Sequence, residues 1–256
     1  MFQTLEENPW IMGEFAWCTF DYLGEPFPHA FPNRSSCFAL YDLAGLPKDR
    51  AYLYKAQWKQ REMPEVLHLL PHWNWSEGMK IPVHAFTSCA SGELFVNGRS
   101  LGKRFTTKSS PRLIWEDVPF EEGKLEITGY DAEGRERARS CRVTSSSPAA
   151  IGIHCEEEIC RDGSSYIFAE LYLKDQQGNV IETADSLLEF ALHNGTLIGV
   201  DNGDARSLLP FKRNYTPLYN GHAMVTAHFA EDGEILVRFG DLEGKCVIKV
   251  AGRNKR

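Results

Sequence analysis

The side chains best suited to chemistry crowd into residues 10–25. Two carboxylates, Glu14 and Glu25, bracket an aromatic run with Trp17, Phe20 and Tyr22, and a third acid, Asp21, lies among them. Carboxylates placed in pairs serve as general acid, general base or nucleophile. Other clusters are less promising. His68, His72 and His84 have no obvious companion ligands, so they read as structural or surface histidines and not as a metal centre. Trp73-Asn74-Trp75 has the aromatic content of a carbohydrate platform, but such a pair more often packs one domain on the next. Asp201-Asn202-Gly203-Asp204 is rich in oxygen ligands. It lacks the spaced donors and distal Glu of a calcium loop, and reads as a turn.

The surrounding composition narrows the function. A net charge of −7 argues against a nucleic-acid footprint, which needs clustered Lys and Arg. The basic tail Arg253, Lys255, Arg256 and the acidic run Glu156–Glu158 read as solvated charge. No apolar run reaches the roughly 20 residues of a membrane span. The N-terminus lacks the basic and apolar regions of a signal peptide, so the expected location is cytoplasmic. The cysteines Cys18, Cys37, Cys89, Cys141, Cys155, Cys160 and Cys246 are odd in number and scattered. They fit structural thiols better than a disulfide framework. Neither a metal nor a cofactor is implied.

The elements that must position these residues fall into three zones. Residues 1–62 hold the apolar run Trp10–Trp17, a loop rich in Pro and Gly, and a helix predicted over 47–60. Its Ala51, Tyr54 and Trp58 share one face, and Pro47 suits the first helical position. Residues 63–145 turn to short strands. There Asn97-Gly98 predicts a tight hairpin, and Asp131–Gly134 a second. Residues 148–256 repeat that grammar, with turns roughly every ten residues, as in a β-sandwich. Ser145-Ser146-Ser147-Pro148 reads as the joint.

Five stretches carry a family resemblance. IMGEFAWCTFDYLGEPFPH (11–29) resembles the last strand and following loop of the (β/α)8 barrel in β-galactosidases of glycoside hydrolase family 2, where GEFVWTGFDYLGEP is usual. SSCFALYDLAGLPKDRAYLYKAQW (35–58) resembles SSYFGIVDLAGFPKDRYYLYQSQW. VLHLLPHWNWSEGMKIPV (66–83) and ELFVNGRSLG (93–102) resemble the β-domain after the barrel, and GVDNGDARS (199–207) a later β-domain. The departures are local. Cys37 replaces an aromatic, Ala39-Leu40-Tyr41 replaces Gly-Ile-Val, and Cys18 replaces a small polar residue.

The resemblance implies a mainly β fold: strand 8 and helix 8 of a barrel, then two immunoglobulin-like β-sandwich domains at 63–145 and 148–256. It implies a parent enzyme that hydrolyses β-galactosides, or related glycans, with retention. Such enzymes need two carboxyl groups about 5–5.5 Å apart. In the family both precede the strand-8 motif, which begins here at Gly13. A whole barrel takes about 250 residues, so this chain is expected to carry no catalytic residue and to be inactive alone. Glu14 and Glu25 then read as structural acids. Trp17 is expected to form an aromatic wall for the sugar, because strand C-termini line barrel active sites, and a flat ring packs well on a pyranose face. Asp21 and Tyr22 follow on the rim as candidates to bind sugar hydroxyls, with loop capping equally open for Asp21. The implied partners are the glycan and either the preceding barrel portion or a second copy of the chain. The alternative is a non-catalytic glycan- or protein-binding module of tandem sandwiches.

Overall fold

A computed structural model describes residues 2–59, 62–155, 158–160 and 166–251. The side chains of 158–160 and 251, the rest of the acidic run and the basic tail lie outside this description. The chain divides into two compact units. Residues 1–19 and 47–144 form one, and residues 20–46 and 145–256 the other. Residues 1–62, one zone by texture, therefore contribute to both.

The first unit is an antiparallel sandwich. One sheet pairs β1 (Leu67–Leu70), β2 (Lys80–Thr87) and β5 (Arg112–Pro119) in that order. The other runs β4 (Arg99–Phe105), β3 (Ser91–Val96), β6 (Lys124–Tyr130) and β7 (Glu136–Val143). Alternation places Ile81, Val83 and Ala85 of β2, Leu94 and Val96 of β3, and Leu125 and Ile127 of β6 in one buried cluster. The turn predicted at Asn97-Gly98 is present, with φ of 48° and 80°. Positive φ at both central positions is what a two-residue primed turn requires. At Asp131, the carboxylate accepts the amides of Glu133 and Arg135 and closes the second hairpin.

Two helices accompany this sandwich. α1 (Phe2–Glu7) is too short to show periodicity in the sequence, yet it buries Phe2 edge-on against Tyr54, with ring centroids 5.5 Å apart. α2 (Asp49–Gln57) is shorter than the predicted helix. Lys48 takes the extended conformation of a cap residue, which puts Pro47 outside the helix. Tyr54 of the expected apolar face is buried, while Trp58 is half exposed at the C-cap.

In the second unit a single long strand pair serves the whole core. β11 (Leu187–Asp201) and β13 (His222–Phe239) are antiparallel partners over most of their length. The first half of β13 also pairs with β10 (Tyr166–Lys174), which continues to β8 (Ala150–His154). The second half pairs with β14 (Leu242–Ala251), and β14 with β9 (Glu158–Cys160). β12 (Tyr215–Pro217) joins the start of β11. The change of partner coincides with a register shift between His193 and Gly195. There the buried Phe229 ring fills the corner. A Cβ on Gly195 or Gly233 would stand 2.6 Å from it, so the bend needs both glycines. A second register shift lies between Leu197 and Gly199, so bulges interrupt the pairing of β11 with β13 twice.

The strand expected over the Trp10–Phe20 motif has no ladder. Exposure nevertheless alternates from Glu14 to Thr19: Phe15, Trp17 and Thr19 are exposed, and Glu14, Ala16 and Cys18 are half buried. The segment keeps the period of a strand without the neighbours that would pair with it among the described residues.

Candidate functional site

Trp17 belongs to the first unit and is 72% exposed. Trp10, Met12 and Phe15 on the same stretch are exposed as well. Glu14 behaves differently. Both of its carboxylate oxygens are buried and accept no hydrogen bond in the described structure. A buried polar atom left unpaired costs roughly 1–3 kcal/mol. This row therefore combines exposed apolar surface with a shielded, unpartnered acid.

Asp21 and Tyr22 belong to the second unit, within a loop that runs from Phe20 to Leu46. Asp21 is only 8% exposed. Its Oδ1 accepts the Ser36 hydroxyl at 2.9 Å and the Ala39 amide at 3.1 Å, and its own amide donates to the Tyr41 carbonyl. The carboxylate thus ties the start of the loop to its return. Tyr22 continues the closure. Its carbonyl accepts the Ser36 amide, its ring meets Phe38 edge-on, and its hydroxyl donates to Glu25. Glu25 has a φ of 47°, in the left-handed region that a turn uses. Past this neck, Phe27 and Phe31 stand exposed.

Residues of the same unit hold the loop in place. The Arg34 amide donates to the Ala205 carbonyl at 2.9 Å, and the Arg34 guanidinium lies 5.0 Å above the Phe211 ring. At Gly203, φ is 78°, and a Cβ would come within 2.1 Å of Asp42 Oδ2. The Asp201–Asp204 turn is therefore shaped to receive the loop. Two internal hydrogen bonds close it, Gly203 amide to Asp201 Oδ1 and Asp204 amide to Asn202 Oδ1, and the Asn202 side-chain amide donates outward to the Pro217 carbonyl. Burial pushes the Asp201 carboxyl above the usual carboxylate range, against the pull of Arg34 and Arg213. Beside it, a cavity of about 280 Å³ opens between Leu43, Ala44 and Phe211 and the outer face of β11 and β13.

The remaining candidates have structural settings. Trp73 is 0% exposed, packs on Phe120, and donates its indole N–H to the Glu121 carbonyl. It is a core residue, and the aromatic pair offers no flat exposed platform at that position. Trp75 stacks on His72 with centroids 4.4 Å apart. His68 lies between Tyr52, stacked at 3.8 Å, and Asp49, 2.7 Å from its Nε2. Among the described residues no group of three or more His, Cys, Asp or Glu is placed to hold a metal ion, and no helix is long and apolar enough to cross a membrane. One contact had no signal in the sequence: Cys155 Sγ lies 3.0 Å from Cys246 Sγ.

Comparison with known proteins places these features in a family. Residues 154–250 match the model of glycoside hydrolase family 2 C-terminal domain 5, and residues 78–138 match a domain of unknown function, DUF4982. The β-galactosidase BoGH2A of Bacteroides ovatus is 36% identical over 224 residues, 86% of this chain and 26% of that protein. A β-glucuronidase described as putative, from Formosa agariphila, is 34% identical over 58% of the chain and 15% of its own length. In structure, a β-glycosidase from Bacteroides vulgatus superposes with a TM-score of 0.87 at 33% identity, covering 97% of this chain and 32% of that one. A family 2 member from Bacteroides cellulosilyticus gives 0.82 at 25% identity, over 97% and 37%. The chain spans between 15% and 37% of the length of these relatives.

Proposed function

We propose, from the premise that this chain is a C-terminal part of a glycoside hydrolase family 2 enzyme, that it completes the active site of a retaining β-galactosidase-like parent. In that parent Trp17 forms a wall of the sugar site. The loop from Phe20 to Leu46 forms its rim, and the two sandwiches brace the barrel. Hydrolysis then relies on a carboxyl pair carried by the preceding part of the parent.

The observation that carries this reading is the row from Trp10 to Trp17. It exposes large apolar side chains, alternates in exposure from Glu14 onward, and buries a carboxylate that finds no partner among the described residues. Burying a large apolar side chain is worth roughly 1.5–3 kcal/mol, so this surface is suited to the interior of a larger body. Parallel barrel strands have that environment on both faces. Galactoside is favoured as the glycan because the β-galactosidase BoGH2A matches 86% of this chain at 36% identity, against 58% at 34% for the β-glucuronidase. The test is turnover by the parent of aryl β-galactoside against aryl β-glucuronide. A preference for galactoside is expected, and a preference for glucuronide would overturn the substrate assignment.

A further inference from the structure

We propose that Cys155 and Cys246 are a disulfide-forming pair, a covalent staple across the C-terminal sandwich. Their sulfurs are 3.0 Å apart although the residues are separated by 91 positions. A disulfide is about 2.05 Å long, so closing the bond needs a movement of about 1 Å.

The fold creates this approach. Ile151, Ile153 and Cys155 alternate along and just beyond β8 and pack against the buried cluster that holds Cys246 and Ile248 of β14. Two residues before Cys246 stands Gly244, where a Cβ would lie 2.8 Å from Ile151 Cγ2. A larger residue there would push β8 off β14 and part the sulfurs. β8 has a ladder with β10, and β14 with β13 and β9. Among the described strands no ladder joins β8 to β14, so the bridge adds a connection that backbone hydrogen bonding does not supply.

The two thiols differ in access, as a two-step exchange requires. Cys155 is half buried and Cys246 is buried. Exchange proceeds by thiolate attack on a disulfide sulfur. The Cys155 thiolate attacks a small disulfide such as oxidised glutathione, forming a mixed disulfide and releasing one glutathione thiol. The Cys246 thiolate then attacks the Cys155 sulfur and expels the second. The cysteines together lose two electrons and two protons, and the small disulfide is reduced to two thiols.

Intact-mass measurement and peptide mapping of the whole chain, equilibrated with reduced and oxidised glutathione, test the pair. The expected result is a loss of about two mass units, a Cys155–Cys246 linked peptide pair, and a Tm roughly 5–15 °C above that of the reduced protein. Cys155→Ser, at the more accessible sulfur, should abolish the link and the Tm gain. Mapping of the unsubstituted chain is read whether or not that variant folds. Recovery of both cysteines as alkylatable thiols after oxidation would overturn the proposal. So would a bridge from Cys155 to Cys160, or a glutathione adduct that never closes onto Cys246.

Discussion

The Ser36 hydroxyl donates to Asp21 Oδ1 over 2.9 Å, across a loop whose two strands of chain it joins. The same oxygen takes the Ala39 amide, so removing the carboxylate leaves two donors without their acceptor. Asp21→Ala should destabilise the second unit by about 1–3 kcal/mol. Hydrogen exchange at the Ala39 amide should rise. Asp21→Asn, which keeps an acceptor oxygen, should retain most of the stability. Equal loss in both variants would mean that charge, and not the acceptor, holds the loop.

Glu14 gives opposite expectations in the chain and in the parent. Alone, its buried oxygens have no partner among the described residues, and Glu14→Gln should be neutral or stabilising by up to about 1 kcal/mol in chemical denaturation. In the parent, where a donor from the barrel is expected to meet it, the same change should destabilise by about 1–3 kcal/mol. A loss of that size in the chain alone would show that Glu14 has its partner here.

Trp17→Ala in the parent should lower kcat/KM for an aryl β-galactoside by roughly one to three orders of magnitude. Each 1.36 kcal/mol of lost transition-state binding is about tenfold, and a stacking wall contributes a few such steps. An effect below about twofold, with the melting curve unchanged, would return Trp17 to a packing role.

For Asp201 the pH dependence has a definite sign. Burial raises its carboxyl in the folded state, so folding favours the protonated form. The group's stabilising contribution is present at low pH and is lost as pH rises through the folded value. Asp201→Asn keeps an acceptor for the Gly203 amide and removes the charge. Its Tm relative to the unsubstituted chain should therefore improve between pH 4 and pH 7. A difference that worsens over this interval would show that attraction to Arg34 and Arg213 outweighs burial.

Much of this architecture could be read in advance, and the exceptions share a cause. Asn97-Gly98 announced its hairpin because both residues tolerate positive φ, and the five family stretches announced the fold. Contacts between distant residues left no local trace. Nothing near Arg34 or Asp42 indicates that their loop is received by Ala205 and Gly203, so residues 20–46 read as part of the N-terminal zone. Trp73 reads from the sequence as packing between domains in preference to a sugar platform, and at 0% exposure it lies in the core of the first sandwich. Asp21 was legible as either a sugar ligand or a loop cap, and its bonds to Ser36 and Ala39 show the capping half of that choice. The Cys155–Cys246 contact depends on how β8 and β14 cross, which spacing alone cannot express.

The most direct measurement is turnover of an aryl β-galactoside by the purified chain. Completing a site built elsewhere requires that this chain alone show no hydrolysis above background, and that activity appear when the barrel portion of the parent is joined to it. Turnover by the chain alone that survives repurification and is abolished by Glu14→Gln would contradict this account and make Glu14 a catalytic residue.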